Sequence, residues 1–244
     1  MTGGREPELA GQTIAVIGGS SGIGLETARR AIAEGADAIL IGRNRDRLDR
    51  AARELGAQRT AAFDATDEDA LAAFFRDLPA PIDHVMVTAA GPSYSPILKM
   101  DSATVSQQLS GHATLMVAVA RNAVGQVRPG GTLLFMGGAD DRVTPGIGIF
   151  AAAAAALPPL TATLALEVAP IRVNLIAAGF VDTPLSATLL GDDLDKRRQQ
   201  LRDTLPIGRV VGPADIAALA VHLMANTAIT GETYNIDGGQ RFVS

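Results

Sequence analysis

Short apolar runs alternate along the whole chain with longer amphipathic stretches, a pattern that is typical of an α/β domain. The first run, Thr13–Ile17, is rich in β-branched residues and long enough for one buried strand. It leads through glycines into a helical pattern over residues 25–32. Similar runs at residues 37–41, 58–63 and 83–87 predict strands, and residues 46–55 and 70–76 predict the helices between them. The pattern predicts one α/β domain.

The first strand is joined to the first helix by a glycine-rich loop, Gly18-Gly19-Ser20-Ser21-Gly22-Ile23-Gly24. A helix N-terminus exposes free backbone N–H groups at the positive end of the helix dipole, and this arrangement binds a pyrophosphate. Glycine allows the tight turn and the close approach of backbone to ligand. An ordinary turn between strand and helix is the alternative interpretation. The candidate binding residues here are Gly18, Ser20, Ser21, Gly22, Ile23 and Gly24.

Length and composition fit one domain with a sizeable core, because the chain has 244 residues of which 47% are hydrophobic. We assign residues 11–244 to this domain and residues 1–10 to a loose N-terminal tail. The net charge is −5 and basic runs are lacking, which argues against nucleic acid as a partner. No signal peptide and no span of about 20 apolar residues is evident, which predicts a cytoplasmic protein that does not bind a membrane.

Metal and disulfide chemistry is not predicted. The chain contains no cysteine, which excludes disulfides and thiolate ligands. Its three histidines, His84, His112 and His222, are far apart and show no spacing typical of metal ligands.

The end of the second strand predicts the choice of dinucleotide. In dinucleotide-binding folds this strand ends beneath the adenosine ribose, where a carboxylate would accept hydrogen bonds from a free 2′-hydroxyl. Gly42 occupies that position here, and Arg43 follows it. A guanidinium binds phosphate through two parallel hydrogen bonds, so NADP(H) is predicted rather than NAD(H). The alternative is that Arg43 and Arg45 only begin a solvated helix.

Several separated motifs resemble the short-chain dehydrogenase/reductase family. The spacing Gly18-x3-Gly22-x-Gly24 is similar to its TGxxxGxG signature, with Ile17 in place of the usual Thr. Later matches are Ala90-Gly91, Arg172-Val173-Asn174, the loop Ala178-Gly179-Phe180-Val181-Asp182-Thr183 and Asp237-Gly238-Gly239. The resemblance covers residues 11–239. It implies a doubly wound, Rossmann-type fold of three layers with a mainly parallel sheet of about seven strands, an NADP(H) cofactor, a small-molecule ligand, and a homodimer or homotetramer.

The resemblance also implies roles for individual residues. Asp64 matches an aspartate that contacts the adenine amine, with Ala65 beside it, although helix capping by Asp64 and Thr66 is an equal alternative. Ala90-Gly91 retain the backbone approach to the adenosine ribose, whereas the two asparagines that usually precede them are replaced and their side-chain contacts are lost. The backbone of Val181 and the side chain of Thr183 would hold the nicotinamide carboxamide.

The catalytic positions of the family are changed in this chain. Relatives use a Tyr as general acid or base, a Lys four residues later that lowers the phenol pKa from about 10, and a Ser thirteen residues upstream. Counting back from Glu167 places Phe150 at the Tyr position and Ala154 at the Lys position, with Gly137-Gly138 in place of the Ser. A fourth relay residue, an Asn in relatives, falls near Ser110. The usual proton relay is therefore absent.

Other residues are only weak candidates to replace it. Tyr94 and Lys99 follow the fourth strand and border the nicotinamide end of the cleft, although a Tyr that merely lines a loop is the plainer interpretation. His112 has a suitable unperturbed pKa, but such a His is more often an interhelical contact. Asp140-Asp141 follow the fifth strand in a Gly-rich loop, where capping or solvent exposure is the simpler role.

Two further stretches affect the shape of the cleft. Pro158-Pro159 interrupt the helix that carries Phe150, so this helix is either bent or restarts at Pro159. Residues 184–212 are predicted to form a helical lid over the substrate.

Two functions agree with these features. The first is an NADP(H)-dependent oxidoreductase with a reduced catalytic apparatus that acts on an activated carbonyl, enone or quinone. The second is a non-catalytic NADP(H)-binding sensor or assembly subunit. The motifs name no substrate.

Overall fold

The computed structural model describes residues 6–89, 95–138 and 146–243. Seven strands form one sheet in the order β3-β2-β1-β4-β5-β6-β7, and every neighbouring pair is parallel. The strands are β1 (Thr13–Ile17), β2 (Asp37–Gly42), β3 (Arg59–Ala62), β4 (Ile82–Val87), β5 (Val127–Gly138), β6 (Arg172–Ala178) and β7 (Thr233–Ile236). This confirms the predicted doubly wound fold.

Helices cover both faces of the sheet. They are α1 (Gly22–Ala33), α2 (Arg45–Leu55), α3 (Glu68–Arg76), α4 (Ser102–Ala123), α5 (Gly148–Ala155), α6 (Leu157–Glu167), α7 (Pro184–Leu190), α8 (Leu194–Thr204) and α9 (Pro213–Ala225). Ile14 and Val16 of β1 pack with α1, α2 and α9, whereas Ala15 and Ile17 pack on the opposite face with α3, α4 and α6. A strand buried on both faces explains why its sequence is continuously apolar.

The Arg172-Val173-Asn174 motif of β6 is hydrogen-bonded to the C-terminal end of α9 and to the residues that follow it. The Arg172 side chain is buried and donates hydrogen bonds to the backbone carbonyls of Gly130, Leu223, Met224, Asn226 and Ile229. Asn174 donates to the Ile229 carbonyl and accepts from the N–H of Glu232. Helix carbonyls that would otherwise lack partners are therefore satisfied by a guanidinium at the negative end of the helix dipole.

The N-terminal tail is shorter than predicted. Leu9 is fully buried and its N–H donates to the Glu34 carbonyl over 2.9 Å, while the N–H of Gly11 donates to Gly35. The prediction of a loose tail over residues 1–10 is therefore wrong at its inner end, because Leu9 belongs to the core between β1 and α1.

The helix that carries Phe150 is divided where the prolines predict a break. α5 ends at Ala155 and α6 begins at Leu157, so the restart comes two residues earlier than the predicted one at Pro159. Pro158-Pro159 therefore lie in the first turn of α6. First-turn N–H groups have no intrahelical acceptor, and proline loses nothing there.

Together α5 and α6 form the stretch Gly148–Glu167, which is long and apolar enough to cross a membrane by length and composition alone. The expectation that no such span exists is corrected in that respect. Core helices of soluble proteins pass the same test, and Leu157, Thr161 and Leu164 of this stretch pack inward as buried residues.

Candidate functional site

The loop between β1 and α1 leaves the N-terminus of α1 open. Ser21 stands at the N-cap with an extended backbone, its side chain makes no capping hydrogen bond, and no acidic residue lies in the first turn. By helix geometry the N–H groups of Gly22, Ile23 and Gly24 have no intrahelical acceptor. Such a positively polarised turn fits a pyrophosphate, as predicted from the sequence.

Two glycines bring this turn close to the end of β4. Gly18 has φ +94°, and a Cβ on it would collide with Thr88 Oγ1. A Cβ on Gly24 would collide with the Gly18 carbonyl and lie 2.7 Å from Thr88 Oγ1. Thr88 in turn donates to the Ile17 carbonyl through both its N–H and its hydroxyl. Thr88, at the family's first Asn position, therefore makes a side-chain contact within the protein, and the loss of the asparagine contacts beside the ribose stays a prediction.

Arg43 and Asp64 lie together at the predicted adenosine end. Arg43 follows β2, is 82% exposed at its side chain, and its Nη1 lies 3.9 Å from Asp64 Oδ2. Helix α2 begins after it, at Arg45, and is capped by Asn44 Oδ1, which accepts the N–H of Arg47. Arg43 is thus outside the helix, and its guanidinium is free to reach a phosphate beside the end of β2.

Asp64 forms a local turn and does not cap a helix. Its Oδ1 accepts the N–H and the hydroxyl of Thr66 at 3.0 and 2.8 Å, and these two bonds lower the pKa of the Asp64 carboxyl. Helix α3 is capped instead by Asp67, which accepts the N–H of Ala70. The capping alternative for Asp64 is therefore wrong. Ala65 is buried in the core, so it presents only its backbone to a ligand.

The loop after β6 reaches the glycine-rich turn. A Cβ on Gly22 would lie 3.6 Å from Cβ of Thr183, so Thr183 lies beside the N-terminus of α1. Val181 forms a parallel bridge with Val211, and the N–H of Asp182 donates to the Val211 carbonyl over 2.9 Å. The structure therefore brings the predicted pyrophosphate turn and the predicted nicotinamide anchor to one edge of the sheet, where ligands bind in such folds.

Three residues that support this loop were missed from the sequence. The carboxylate of Asp182 accepts two hydrogen bonds from Arg198 of α8, at 2.8 and 2.9 Å, and these bonds raise the pKa of the guanidinium. Gln240 Oε1 accepts the N–H of Phe180 over 2.9 Å. Ser186 of α7 donates to the Val181 carbonyl. The Arg198 contact joins residues 16 positions apart and the Gln240 contact joins residues 60 positions apart, so no local sequence pattern predicts them.

Apolar contacts surround the residues that counting along the sequence assigns to the family's catalytic positions. A Cβ on Gly138 would lie 2.6 Å from Cε1 of Phe150 and 3.7 Å from Cβ of Ala154. A Cβ on Gly137 would lie 3.2 Å from Leu157 and 3.3 Å from Leu175. Gly138, Phe150 and Ala154, which were assigned by counting along the sequence, therefore lie together in space, and none of these three residues carries an ionisable group.

Of the alternative proton donors, His112 lies beside Phe150. His112 of α4 lies edge-on to Phe150, with 6.3 Å between ring centroids. The Ser110 hydroxyl donates to the Ser106 carbonyl within its own helix, and Lys99 is exposed in a 3₁₀ turn. The predicted residues Ala90, Gly91 and Tyr94, together with Asp140 and Asp141, lie outside the described residues. Within the described residues no group of three or more His, Asp or Glu side chains could hold a metal.

Comparison with known proteins extends the resemblance over nearly the whole chain. Residues 17–241 match the family model described as Enoyl-(Acyl carrier protein) reductase. Galactitol 2-dehydrogenase (L-tagatose-forming) of Cereibacter sphaeroides is 34% identical over 245 residues, which cover 95% of each chain. L-sorbose reductase of Gluconobacter frateurii, solved with NADPH and L-sorbose, is 27% identical with a TM-score of 0.86 over 97% of this chain and 99% of that one. A small-chain dehydrogenase solved with NADPH is 25% identical with a TM-score of 0.80, over 95% and 99% of the two chains. The chain belongs to the short-chain dehydrogenase/reductase family of oxidoreductases.

Proposed function

We propose that this protein is an NADP(H)-dependent oxidoreductase whose acceptor is activated by its own structure, as in a conjugated enone, a quinone or an activated carbonyl. The observation that carries this proposal is the contact of Gly138 with Phe150 and Ala154, where Gly137-Gly138 stand at the family's Ser position and Phe150 and Ala154 at its Tyr and Lys positions. A cleft with these residues can position a substrate beside the cofactor but receives no phenol proton from them.

The cofactor assignment has two supports. Gly18 to Gly24 supply an open helix N-terminus for the pyrophosphate, and Arg43 supplies a guanidinium near the end of β2. Two neighbours of the same fold were solved as NADPH complexes. When bound, the nicotinamide supplies the hydride that the reaction transfers. The residues of this chain bind, orient and desolvate the reactants.

The magnitudes favour an activated acceptor over a plain ketone. General acid catalysis contributes about 100- to 10,000-fold, and a site without a phenol forfeits that factor. Holding the two reactants in contact still supplies a large part of the rate enhancement, because effective molarities reach about 10⁵ M or more. An acceptor that stabilises negative charge by conjugation needs less help from a protonated side chain.

A second candidate function is a non-catalytic NADP(H)-binding sensor or assembly subunit. The joint replacement of three catalytic positions favours it, because a binding protein has no use for them. The anchor formed by Val181 and Thr183 favours the enzyme, because in the family it serves the nicotinamide ring and not the adenosine. We therefore favour the oxidoreductase over the non-catalytic binding protein because Val181 and Thr183 are retained.

A substrate panel tests the proposal. With NADPH present, we expect measurable oxidation of the cofactor by conjugated enones or quinones, and at least about 100-fold slower oxidation by simple aliphatic ketones. Phe150→Leu serves as a matched variant, and we expect it to keep enone turnover within a few fold, because the ring donates no proton. Simple ketones turned over as fast as enones would contradict the proposal. Tight NADPH binding without turnover of any acceptor would favour the sensor.

His112 enters the same panel as the candidate proton donor beside Phe150. If its imidazole supplies the proton, His112→Gln lowers ketone turnover and removes a titration from the pH profile, while enone turnover is nearly unchanged. An identical pH profile in His112→Gln would exclude this role.

A further inference from the structure

The hydroxyl of Ser186 contacts both groups of the nicotinamide anchor. Ser186 lies in the first turn of α7, three residues after Thr183, and belongs to none of the motifs described above. Its Oγ donates to the Val181 carbonyl over 2.5 Å and lies 3.1 Å from Thr183 Oγ1. One side chain is thus bonded to the two residues that would hold the carboxamide.

The proton count of these three groups sets the direction of each hydrogen bond. A carbonyl oxygen can only accept, so the single proton of Ser186 is used on Val181. The bond between the two hydroxyls must then run from Thr183 to Ser186 Oγ. Thr183 Oγ1 also accepts the backbone N–H of Ser186 over 3.2 Å. With its proton used, Thr183 can offer a ligand only a lone pair, and the Val181 carbonyl likewise offers only its second lone pair.

We propose that Ser186 is a specificity-determining residue, because it commits the Thr183 hydroxyl to the acceptor role beside the Val181 carbonyl, which can only accept. The inference rests on the proposed function, in which Val181 and Thr183 face the nicotinamide. Two acceptors match the amino group of a carboxamide, which has two N–H donors, and they repel its oxygen. Ser186 therefore holds the carboxamide with its amino group toward this loop and disfavours the orientation turned by half a rotation. The orientation of the carboxamide in turn fixes the position of the ring.

The test is a comparison of cofactor analogues by titration calorimetry. NADP⁺ and its thionicotinamide analogue both carry the amino group, whereas the 3-acetylpyridine analogue carries a methyl group in its place. For the unchanged protein we expect the acetylpyridine analogue to bind about tenfold or more weakly than NADP⁺, since anchor acceptors lose their donors. The thionicotinamide analogue should bind within about threefold of NADP⁺. It keeps the amino group, so the most that it can lose is one hydrogen bond of modest strength to the replaced oxygen.

Ser186→Ala is the informative variant. It keeps the backbone N–H that bonds Thr183 Oγ1, so the cap of α7 is preserved. Without the Ser186 oxygen, the Thr183 proton can turn to the acetyl oxygen, and the preference for NADP⁺ over the acetylpyridine analogue should fall by about threefold or more. Thr188→Ala is the matched control: its hydroxyl donates to the Pro184 carbonyl on the same helix and does not touch the anchor.

The outcomes separate the inference from the function on which it rests. A lower preference in Ser186→Ala with an unchanged preference in Thr188→Ala supports the assignment. If Ser186→Ala weakens the binding of NADP⁺ and of the acetylpyridine analogue equally, Ser186 has a purely structural role and the assignment is overturned. An unchanged preference for NADP⁺ over the acetylpyridine analogue would overturn the assignment as well. Failure of the unchanged protein to bind any of the dinucleotides would overturn the proposed function itself.

Discussion

Gly138 and Phe150 are coupled by their packing. The space that a side chain at position 138 would need is occupied by the edge of the Phe150 ring, because a Cβ there would lie 2.6 and 2.8 Å from two ring carbons. Heavy atoms at these distances overlap, so Gly138→Ser alone cannot restore the hydroxyl without moving the ring. The residues at positions 138 and 150 are therefore coupled, and a hydroxyl at position 138 requires a change at position 150 as well.

We propose that the preference for NADP(H) over NAD(H) depends on Arg43. Its guanidinium is exposed, and the only ion pair described for it is the long one with Asp64. A 2′-phosphate would offer it charge-assisted bonds that a 2′-hydroxyl cannot. We expect Arg43→Ala to weaken NADPH binding about tenfold and to leave NADH binding nearly unchanged. Fluorescence titration of both cofactors measures this. Arg53→Ala, in the last turn of α2, is the control for lost charge. Equal affinities for the two cofactors before mutation would refute the assignment.

His84 links stability to pH. It is buried on β4 with Nε2 bonded to Gln12 Oε1, and its Nδ1 has no hydrogen-bond partner among the described residues. Burial lowers the pKa of His84 from 6.5 to about 4; Arg172 adds to this, and Asp83 opposes it. Because the folded pKa is the lower one, the unfolded chain binds more protons between pH 6.5 and 4. The protein therefore has the full stability of the neutral His84 ring above pH 6.5, and its free energy of unfolding falls as the pH drops from 6.5 to 4.

The expected loss from His84 is about 3 kcal/mol between pH 6.5 and 4, from a pKa difference of about 2.5 units. Urea unfolding at a series of pH values measures it. In His84→Gln the free energy of unfolding should depend less on pH across this window, although the variant is less stable at pH 7. His222→Gln, at an exposed histidine of α9, should keep the full dependence. Parallel pH curves for His84→Gln and the unchanged protein would contradict the prediction.

At the scale of elements, local signals predicted what local chemistry determines. The glycines between β1 and α1, the apolar runs of the strands and the prolines at the start of α6 all act within a few residues. They therefore predicted the turn, the strands and the interrupted helix to within one or two residues. Tertiary contacts decided the rest: Leu9 is ordered by Glu34, and Thr88 matters because Gly18 and Gly24 leave it room.

The loop after β6 shows the same limit at the site. Its motif predicted Val181 and Thr183, but not the residues that hold them. Arg198 reaches Asp182 from α8, and Gln240 reaches Phe180 from beyond β7. These contacts depend on how the lid and the C-terminal turn fold back, which no periodicity in the sequence encodes. The two segments of the predicted lid, α7 and α8, are thereby attached to the nicotinamide anchor.

At the scale of the whole molecule, one apolar surface lacks a partner among the residues that the structure describes. The stretch Gly148–Glu167 is apolar, yet only 33% of the residues in its most apolar window are buried, and Leu166 is 82% exposed. It packs beside α4, which exposes Leu109, and a groove of about 310 Å³ lies between them. Its lining combines the apolar residues Ala113, Val117, Ala118 and Leu160 with Thr114 and the charged residues Glu68 and Arg121. Small side chains permit close approach of another helix, and extended apolar patches mark contact surfaces.

We infer that a second copy of the chain covers this surface, giving the homodimer or homotetramer that the family resemblance implies. Leu166→Glu should then shift the protein toward smaller species in sedimentation velocity, because burying an unpaired carboxylate in an interface opposes association. Leu98→Glu is the matched control, since Leu98 is 99% exposed and lies outside the two helices. Dissociation by Leu166→Glu alone, at concentrations where the unchanged protein is oligomeric, is the expected result. A monomeric unchanged protein, or equal dissociation by both substitutions, would show that the partner of this apolar surface is something other than a second copy.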